Sequence, residues 1–368
     1  MKADTFDLAY LDYCHEIDWL DRGFRPANID VKGIRELFSS FDKIIAQGDE
    51  ASVINFCSIP IDIYFPYGTD ISKYVFLPHQ FSVWEKIRLF TRKNSGFSFS
   101  DLNNGTSSKY LHQAIKTAKN VFLDVSNPEF EGMLHKIGLE GEFRHVPMPF
   151  IYYPEYEKVF AVNTSPSVHW RDAVDELRRS NDLLVLYHGR QIWVNRESKF
   201  APKENDVLIR GFGEFIKKSK GGVKAHLIML EFGPDVQFSK ELIKELQIEE
   251  NVTWLPQMYR KDVMYLISQI DIGSGEFGRS YLTFGTIIEN MVLGKPVIHF
   301  RDDELYKDAY PWLYPLINSK DPQEISEKLI YYSTHKQELE KMGSEAQRWV
   351  KELFILKPLQ QIEEVLNG

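Results

Sequence analysis

The sequence has 368 residues, of which 43% are hydrophobic and 26% are charged, and its formal net charge is −9 at pH 7. This composition is typical of a globular protein and excludes a disordered or fibrous chain. The length predicts two domains, and the negative charge argues against broad binding to nucleic acid, which needs a basic surface.

Short apolar runs predict buried β-strands along the whole chain. The first run begins almost at the start of the sequence, with no preceding strand and glycine-rich turn. A doubly wound N-terminal domain would therefore be shortened or would lack its first βα unit. The predicted strands are at residues 6–11, 43–47, 61–65, 119–125, 183–189, 225–230, 251–255 and 295–300.

Both cysteines, Cys14 and Cys57, lie in the first half of the chain. They are too few for a disulfide framework, so we expect two small buried side chains in a cytoplasmic protein. The sequence has no apolar run of about 18 residues and no signal-peptide pattern, so we expect no membrane span and no export signal. Residues 84–93 mix aromatic, aliphatic and basic side chains, which fits a helix at a membrane surface and equally an ordinary amphipathic surface helix.

The second half alternates strands with helices. The strand at 183–189 precedes a helical pattern at 206–219, and the strand at 225–230 precedes one at 238–247. This alternation predicts a parallel sheet with crossover helices.

Two further helices are predicted near the C-terminus. Residues 321–324 supply a cap aspartate, a first-turn proline and a capping-box glutamate, which predict a helix start. Residues 343–366 also have a helical pattern. The first of these helices should direct three apolar side chains inward: Ile325, Leu329 and Ile330.

The apolar-poor segment 163–167 predicts the hinge between the two domains. We therefore expect an N-terminal domain over 1–165 and a C-terminal domain over 166–342. The remaining residues, 343–368, are expected to form a helix that packs back on the N-terminal domain.

Two cations stand where a parallel sheet binds phosphate. Arg190 directly follows the predicted strand at 183–189, and Lys203 precedes the helix at 206–219. Strand carboxyl ends and helix N-termini bring positive charge and backbone N–H groups to an anion, so the two side chains could bind adjacent phosphates. Taken singly, each cation is better explained as an ordinary solvated side chain.

A second element lies at 276–300. A turn at Phe284 and Gly285 leads into a short helix that ends at Gly294. The helix N-terminus would present free N–H groups to an anion, and Glu289 could accept hydrogen bonds from ribose hydroxyls. Taken singly, Gly294 is more simply explained as a helix C-cap, and Glu289 as a surface carboxylate.

The order of these segments resembles the C-terminal domain of glycosyltransferase family 4. Family members show a GR pair, a K-G-x-D-x-L-I-x-A-F stretch, and an E-x7-E segment that runs into E-A-M-A-x-G-x-P-V. The segments that carry the resemblance are GRQIW (189–193), KENDVLIRGF (203–212), ELQIEENVTWLP (245–256) and IIENMVLGKPVI (287–298).

The resemblance implies the α/β GT-B fold, with two Rossmann-like doubly wound domains facing each other across a cleft. It also implies retaining, metal-independent sugar transfer from a nucleoside-diphosphate sugar, with a UDP-sugar as the expected donor and no further cofactor. Arg190 and Lys203 would bind the phosphates, and Glu289 would bind the ribose. The whole donor site would comprise Gly189, Arg190, Lys203, Tyr281, Thr283, Phe284, Gly285, Thr286 and Glu289.

The sequence departs from the family pattern at two positions that matter for the site. Tyr281 stands where the first glutamate is expected, and Glu276 could supply the missing carboxylate from a rearranged loop. Arg190, Lys203 and Glu276 are therefore the candidate catalytic residues. Glu204 stands where the pattern has glycine, beside the expected phosphate site.

FPYGTDI, at 65–71, resembles a strand-end turn that faces the cleft in related transferases. Its Tyr67, Gly68, Thr69 and Asp70 are acceptor-side candidates, although Gly-Thr-Asp also forms ordinary turns. The acceptor would be a glycan, a lipid-linked glycan or a small molecule. Two alternatives remain open: a catalytically silent subunit that binds a partner or a glycan, and a sugar-nucleotide epimerase. The sequence does not predict the oligomeric state.

Overall fold

The computed structural model describes residues 31–77, 104–124, 129–141, 143–148, 171–194, 202–219, 221–258 and 260–368. The chain divides into two compact units, Met1–Met148 with Pro358–Gly368, and Pro149–Lys357. Several sequence predictions lie outside the described residues: the strand at 6–11, the burial of Cys14, the surface helix at 84–93 and the hinge at 163–167.

The first unit contains a parallel sheet of four strands in the order β1-β2-β3-β4. The strands are β1 Ile45–Gln47, β2 Ile63–Phe65, β3 Asn120–Leu123 and β4 Arg144–His145. The helices are α1 Val31–Phe38, α2 Ala51–Phe56, α3 Thr69–Ser72, α4 Asn104–Thr117 and α5 Glu129–Ile137. The strands predicted at 43–47, 61–65 and 119–125 are confirmed, and Cys57 is buried as expected.

The second unit contains a parallel sheet of six strands in the order β10-β9-β8-β5-β6-β7. The strands are β5 Leu183–Tyr187, β6 Ala225–Glu231, β7 Val252–Pro256, β8 Ile272–Ser274, β9 Val297–His299 and β10 Ile317–Asn318. The helices are α6 Arg171–Ser180, α7 Asp206–Ser219, α8 Val236–Glu245, α9 Arg260–Gln269, α10 Gly285–Val292, α11 Asp303–Tyr306, α12 Pro322–Thr334 and α13 Lys336–Trp349. No helix in the described part of the chain combines the length and apolar character needed to cross a membrane.

Of the two central strands of this sheet, β5 and β8, the sequence shows only β5 clearly. Every residue of β5 is buried, because a parallel sheet is covered by helices on both faces, and this burial explains its unbroken apolar run. β8 was not predicted, since glycine and serine make up two of its three residues and neither favours a strand.

The start of α12 confirms the predicted cap. The Asp321 side chain accepts a hydrogen bond from the Glu324 N–H at 3.0 Å, and Pro322 is the first helical residue. Ile325 and Leu329 are buried, but Ile330 is 38% exposed, so its predicted inward orientation is wrong. Ile330 lies one residue beyond Leu329, which rotates it away from the buried face of the helix.

The C-terminal helical pattern corresponds to α13, a π-helical segment at Val350–Leu356, and α14 at Lys357–Asn367. Ile362 of α14 packs against Ile63, Phe65 and Phe122 in an apolar cluster of the first unit. The chain therefore returns to the first unit after completing the second.

Gly343 of α13 makes a close backbone approach to the turn at Gly294. A Cβ atom on Gly343 would lie 2.0 Å from the Gly294 carbonyl oxygen, so Gly343→Ala should lower the free energy of unfolding by about 1–3 kcal/mol. In α5, a Cβ on Gly132 would meet nothing within 4 Å, and Gly132→Ala should raise that free energy by up to about 1 kcal/mol. Urea denaturation measures both changes, and a stable Gly343→Ala variant would contradict the close contact.

Candidate functional site

The candidate site lies in the second unit, at the carboxyl ends of the neighbouring strands β5 and β8. Arg190 follows β5, Glu276 follows β8, and Lys203 precedes α7. The Lys203 N–H donates to the Ile192 carbonyl at 2.7 Å, and the Lys203 carbonyl accepts from the Phe277 N–H at 3.1 Å. These backbone hydrogen bonds hold the three loops next to one another.

Lys203 and Glu276 form a buried ion pair. The Lys203 Nζ donates a short hydrogen bond to Glu276 Oε1, and the two residues are only 8% and 2% exposed. Burial lowers the pKa of Lys203, and it raises the pKa of Glu276 to about 7, while each partner acts against the shift of the other. Lys203 is therefore buried and paired, and the explanation of this residue as an ordinary solvated cation is wrong.

Two arginines add positive charge around this pair. Arg190 and Arg279 both lower the pKa of Lys203 by repulsion, and both also lower the pKa of Glu276 by attraction. The site thus brings Arg190 and Lys203 of the predicted set together with a third cation. With Glu204, whose side chain lies against Gly278, three cations face two carboxylates, so a net positive charge remains, which suits an anion with several negative oxygens. Arg279 was not among the predicted site residues, although it stands three residues after Glu276.

The backbone N–H groups at the N-terminus of α10 are not capped by the Phe284 side chain. Phe284 is extended and supplies no side-chain cap, and its carbonyl accepts from the Ile288 N–H at 2.9 Å. The N–H groups of Gly285, Thr286 and Ile287 therefore have no acceptor within the helix. They carry the positive end of the helix dipole.

An aromatic pair connects this helix start with the ion pair. The Lys203 Nζ lies 3.9 Å from the centroid of the Phe284 ring and 5.9 Å from that of Tyr281, and the two ring centroids are 5.5 Å apart. Tyr281 thus contributes an aromatic ring beside Lys203. Thr283 is buried in the same turn.

Glu289 is held by a histidine that the sequence analysis did not identify. Glu289 Oε2 lies 2.9 Å from His188 Nε2, and the two residues are 5% and 4% exposed. This burial excludes the simpler explanation of Glu289 as a surface carboxylate. His188 follows β5 directly and lies within the strand predicted at 183–189, so its position at a strand end was the signal that could have identified it. Its contact fixes where the Glu289 carboxylate points.

A buried polar network supports the loop after β5. Gln191 Oε1 accepts from Ser239 Oγ at 2.9 Å and from the Asn205 amide, and the Trp193 N–H donates to Asp235 at 2.7 Å. Gly189 packs closely against Tyr187, because a Cβ atom on residue 189 would lie 3.0 Å from the Tyr187 hydroxyl oxygen. The backbone around Arg190 is therefore fixed by buried contacts.

Glu204 has an unfavourable backbone conformation. Its φ is +49°, in the left-handed region that side chains other than glycine disfavour. We expect Glu204→Gly to raise the free energy of unfolding by roughly 0.5–1 kcal/mol, since relief of strain exceeds the added chain entropy.

The same change in the middle of a helix is the matched control. Glu214→Gly in α7 should lower the free energy of unfolding by about 1 kcal/mol, because glycine disfavours a helix interior. Urea denaturation of the two variants should give changes of opposite sign. A loss of stability in Glu204→Gly would contradict the strain at this position.

The acceptor-side candidates lie in the first unit, after β2. The Asp70 carboxylate accepts from the Gly68 N–H at 2.6 Å and from the buried Tyr64 hydroxyl. Gly68 has a φ of +139°, which favours glycine, and Thr69 begins α3. Asp70 therefore stabilises the turn, while Tyr67 is 62% exposed.

The described part of the chain contains no cluster of three or more histidine, cysteine, aspartate or glutamate side chains arranged to hold a metal ion. The groups that do meet at the ends of β5 and β8 are arginine and lysine side chains, beside the backbone N–H groups of the α10 start. Such groups bind phosphate oxygens through charge-assisted hydrogen bonds.

No protein-family model and no curated protein sequence matches this chain. Solved structures do match. Anabaena HepE in complex with UDP aligns with a TM-score of 0.57 and 17% identity, over 92% of this chain and 81% of that one. Sucrose-phosphate synthase from Thermosynechococcus elongatus aligns with a TM-score of 0.55 and 14% identity, over 91% and 76%. A glycosyltransferase from Rickettsia africae aligns with a TM-score of 0.51 and 15% identity, over 89% and 98%.

At these identities the likeness defines the fold alone. The two parallel sheets with their interleaved helices and these structural neighbours confirm the α/β GT-B fold that the sequence predicted.

Proposed function

We propose that this protein is a glycosyltransferase that transfers a sugar from a nucleoside-diphosphate sugar, with a UDP-sugar as the first donor to test. The observation that carries the proposal is the buried Lys203–Glu276 pair, with Arg190 and Arg279 around it. The complex of HepE with UDP-glucose, a protein of the same fold, supports the choice of donor.

The chemical task is to stabilise the departing nucleoside diphosphate. Its negative charge grows as the bond to the sugar breaks, so Arg190, Lys203 and the N–H groups of α10 would bind the transition state more strongly than the ground state. In this proposal protein cations carry out the charge stabilisation without a metal ion. The family resemblance supports retention of the anomeric configuration.

Two further residues have assigned roles in the proposal. Glu289 accepts hydrogen bonds from the ribose hydroxyls, and its contact with His188 positions it for them. Glu276 pairs with Lys203 before the donor binds, which keeps the lysine charged and in place.

The acceptor is a glycan, a lipid-linked glycan or a small molecule, and the turn at 67–70 is its proposed contact. We place the reaction in the cytoplasm on the basis of cysteine content. A peripheral membrane contact through 84–93 would suit a lipid-linked acceptor.

The direct test incubates the protein with UDP-, GDP-, ADP- and TDP-sugars and acceptors, and follows nucleoside diphosphate release. Proton NMR of the product reports whether the anomeric configuration is retained. Thermal shift with each donor measures binding separately, because a ligand of the folded state raises the melting temperature. Binding without transfer would favour the silent subunit, and conversion of the donor without acceptor would favour the epimerase.

Donor binding should take up protons near neutral pH. A diphosphate beside Glu276 adds negative charge, so it should raise the pKa of this carboxyl further above its value of about 7 in the free protein. Because the bound state favours the protonated carboxyl, affinity should fall as pH rises through and above that value.

Calorimetry of UDP binding in buffers of different ionisation enthalpy measures this proton uptake. We expect the Glu276→Gln variant to take up fewer protons than the wild type when UDP binds. The control variant Glu214→Gln, which removes a half-exposed carboxylate on α7, should take up as many protons as the wild type. The same proton uptake in Glu276→Gln and in the wild type would contradict the role assigned to this carboxyl.

A further inference from the structure

A pocket of about 380 Å³ lies elsewhere in the second unit, at the carboxyl ends of β9 and β10. Arg301 follows β9 and Asn318 ends β10, and α13 contributes Glu345 and Arg348 to the lining. None of these residues belongs to the donor site proposed at β5 and β8.

The walls of this pocket are fixed by hydrogen bonds. The Arg301 N–H donates to Asn318 Oδ1 at 2.9 Å, and the Asn318 amide donates back to the Arg301 carbonyl at 2.7 Å. The Trp349 indole donates to the Trp312 carbonyl at 2.8 Å, and the Tyr314 hydroxyl donates to a backbone carbonyl at 2.5 Å. The pocket is therefore formed before any ligand binds.

Arg301 gives the pocket a buried positive charge. The residue is 3% exposed, and its Nε donates to Asp303 Oδ1 at 2.6 Å. The guanidinium carbon lies 4.4 Å from the Tyr314 ring centroid, and the buried Nη1 has no hydrogen-bond acceptor among the described residues. A buried guanidinium nitrogen without an acceptor is unfavourable, so an anion in the pocket would supply an interaction that the protein itself lacks.

The rest of the lining suits a sugar ring. Trp312 is 39% exposed and offers an apolar face, and the Arg348 guanidinium lies 5.9 Å from its ring centroid. The carboxylates of Asp303 and Glu345 accept hydrogen bonds from hydroxyl groups. A volume near the lower end of the roughly 300–1,000 Å³ seen for ligand sites matches a single sugar ring.

We propose that this pocket binds an anionic monosaccharide, either a sugar phosphate or a sugar carboxylate. Arg301 and Arg348 bind the anionic group, Trp312 stacks on the ring, and the two carboxylates accept the hydroxyl hydrogens. The site is separate from the donor site and does not depend on the transfer reaction.

The test is calorimetry with glucose 6-phosphate, glucuronate, glucose and inorganic phosphate, with and without UDP to occupy the donor site. We expect one or both anionic sugars to bind with and without UDP, and Arg348→Gln to weaken that binding by about tenfold or more, since it removes a charge-assisted hydrogen bond. Arg348 is exposed, so its loss should leave the fold intact. Trp312→Ala should weaken binding as well.

The matched control is Arg179→Gln, which removes the same charge from an exposed position on α6 and should leave binding unchanged. Binding of only one of the two anionic sugars would show whether the pocket recognises a phosphate or a carboxylate. The proposal is overturned if neither anionic sugar binds, if Arg348→Gln binds as the wild type does, or if glucose or free phosphate binds as tightly as the anionic sugars.

Discussion

Lys203→Ala is expected to lower kcat for sugar transfer by about 10² or more, the usual cost of removing a group that stabilises developing charge. The ammonium lies in a dry position beside Glu276 and the α10 start, so water cannot replace it well. Removing it also leaves Glu276 buried without its partner, which should cost at most about 3–5 kcal/mol of stability, since a carboxyl whose pKa is already about 7 can protonate instead.

A second variant separates these two effects. In Lys203→Met with Glu276→Leu, both charges are replaced by apolar groups, so stability should return close to that of the wild type. Activity should remain low, because the phosphate cation is still absent. Lys217→Ala removes an exposed lysine from α7 and should change neither stability nor kcat. Full activity in the double variant would remove Lys203 from the mechanism.

Arg190→Ala is expected to lower kcat by about 10² as well, since it removes a second charge-stabilising donor. Arg190 is only half-buried, and its guanidinium lies 5.0 Å from the Phe232 ring centroid, so the melting temperature should change little. Loss of activity without loss of stability is the result that distinguishes this position from Lys203.

Arg190→Lys tests whether the planar guanidinium matters beyond its charge. Lysine keeps the positive charge but cannot make two parallel hydrogen bonds to a phosphate, so it should restore only part of kcat. Arg179→Ala is the control for loss of an exposed arginine in the same unit. Turnover near the wild-type value in Arg190→Ala would contradict the proposed diphosphate contact.

The fold could be predicted because the second sheet leaves a clear pattern of apolar strands in the sequence. Its central strand, Leu183–Tyr187, is buried on both faces and therefore apolar throughout. The strands Ile272–Ser274 and Ile317–Asn318 were not predicted, since the first contains glycine and serine and the second has only two residues. They are defined by pairing with distant strands, which the local sequence does not encode.

The candidate site was predictable only in part. Arg190 and Lys203 stand at a strand end and a helix start, which are positions that sequence order reveals. The contacts of His188 with Glu289 and of Lys203 with Glu276 join residues 101 and 73 positions apart, so only the folded chain shows them. The left-handed backbone conformation of Glu204 could not be predicted either, because glutamate rarely adopts it.

Calorimetry of a nucleoside diphosphate against the matching monophosphate tests the central claim most directly. For the base that binds best, beginning with UDP and UMP, the diphosphate should bind at least about tenfold more tightly, because its second phosphate meets Arg190 and Lys203. Lys203→Met with Glu276→Leu should remove most of that difference. Equal affinity of the wild type for the two nucleotides would contradict a diphosphate site at the carboxyl ends of β5 and β8.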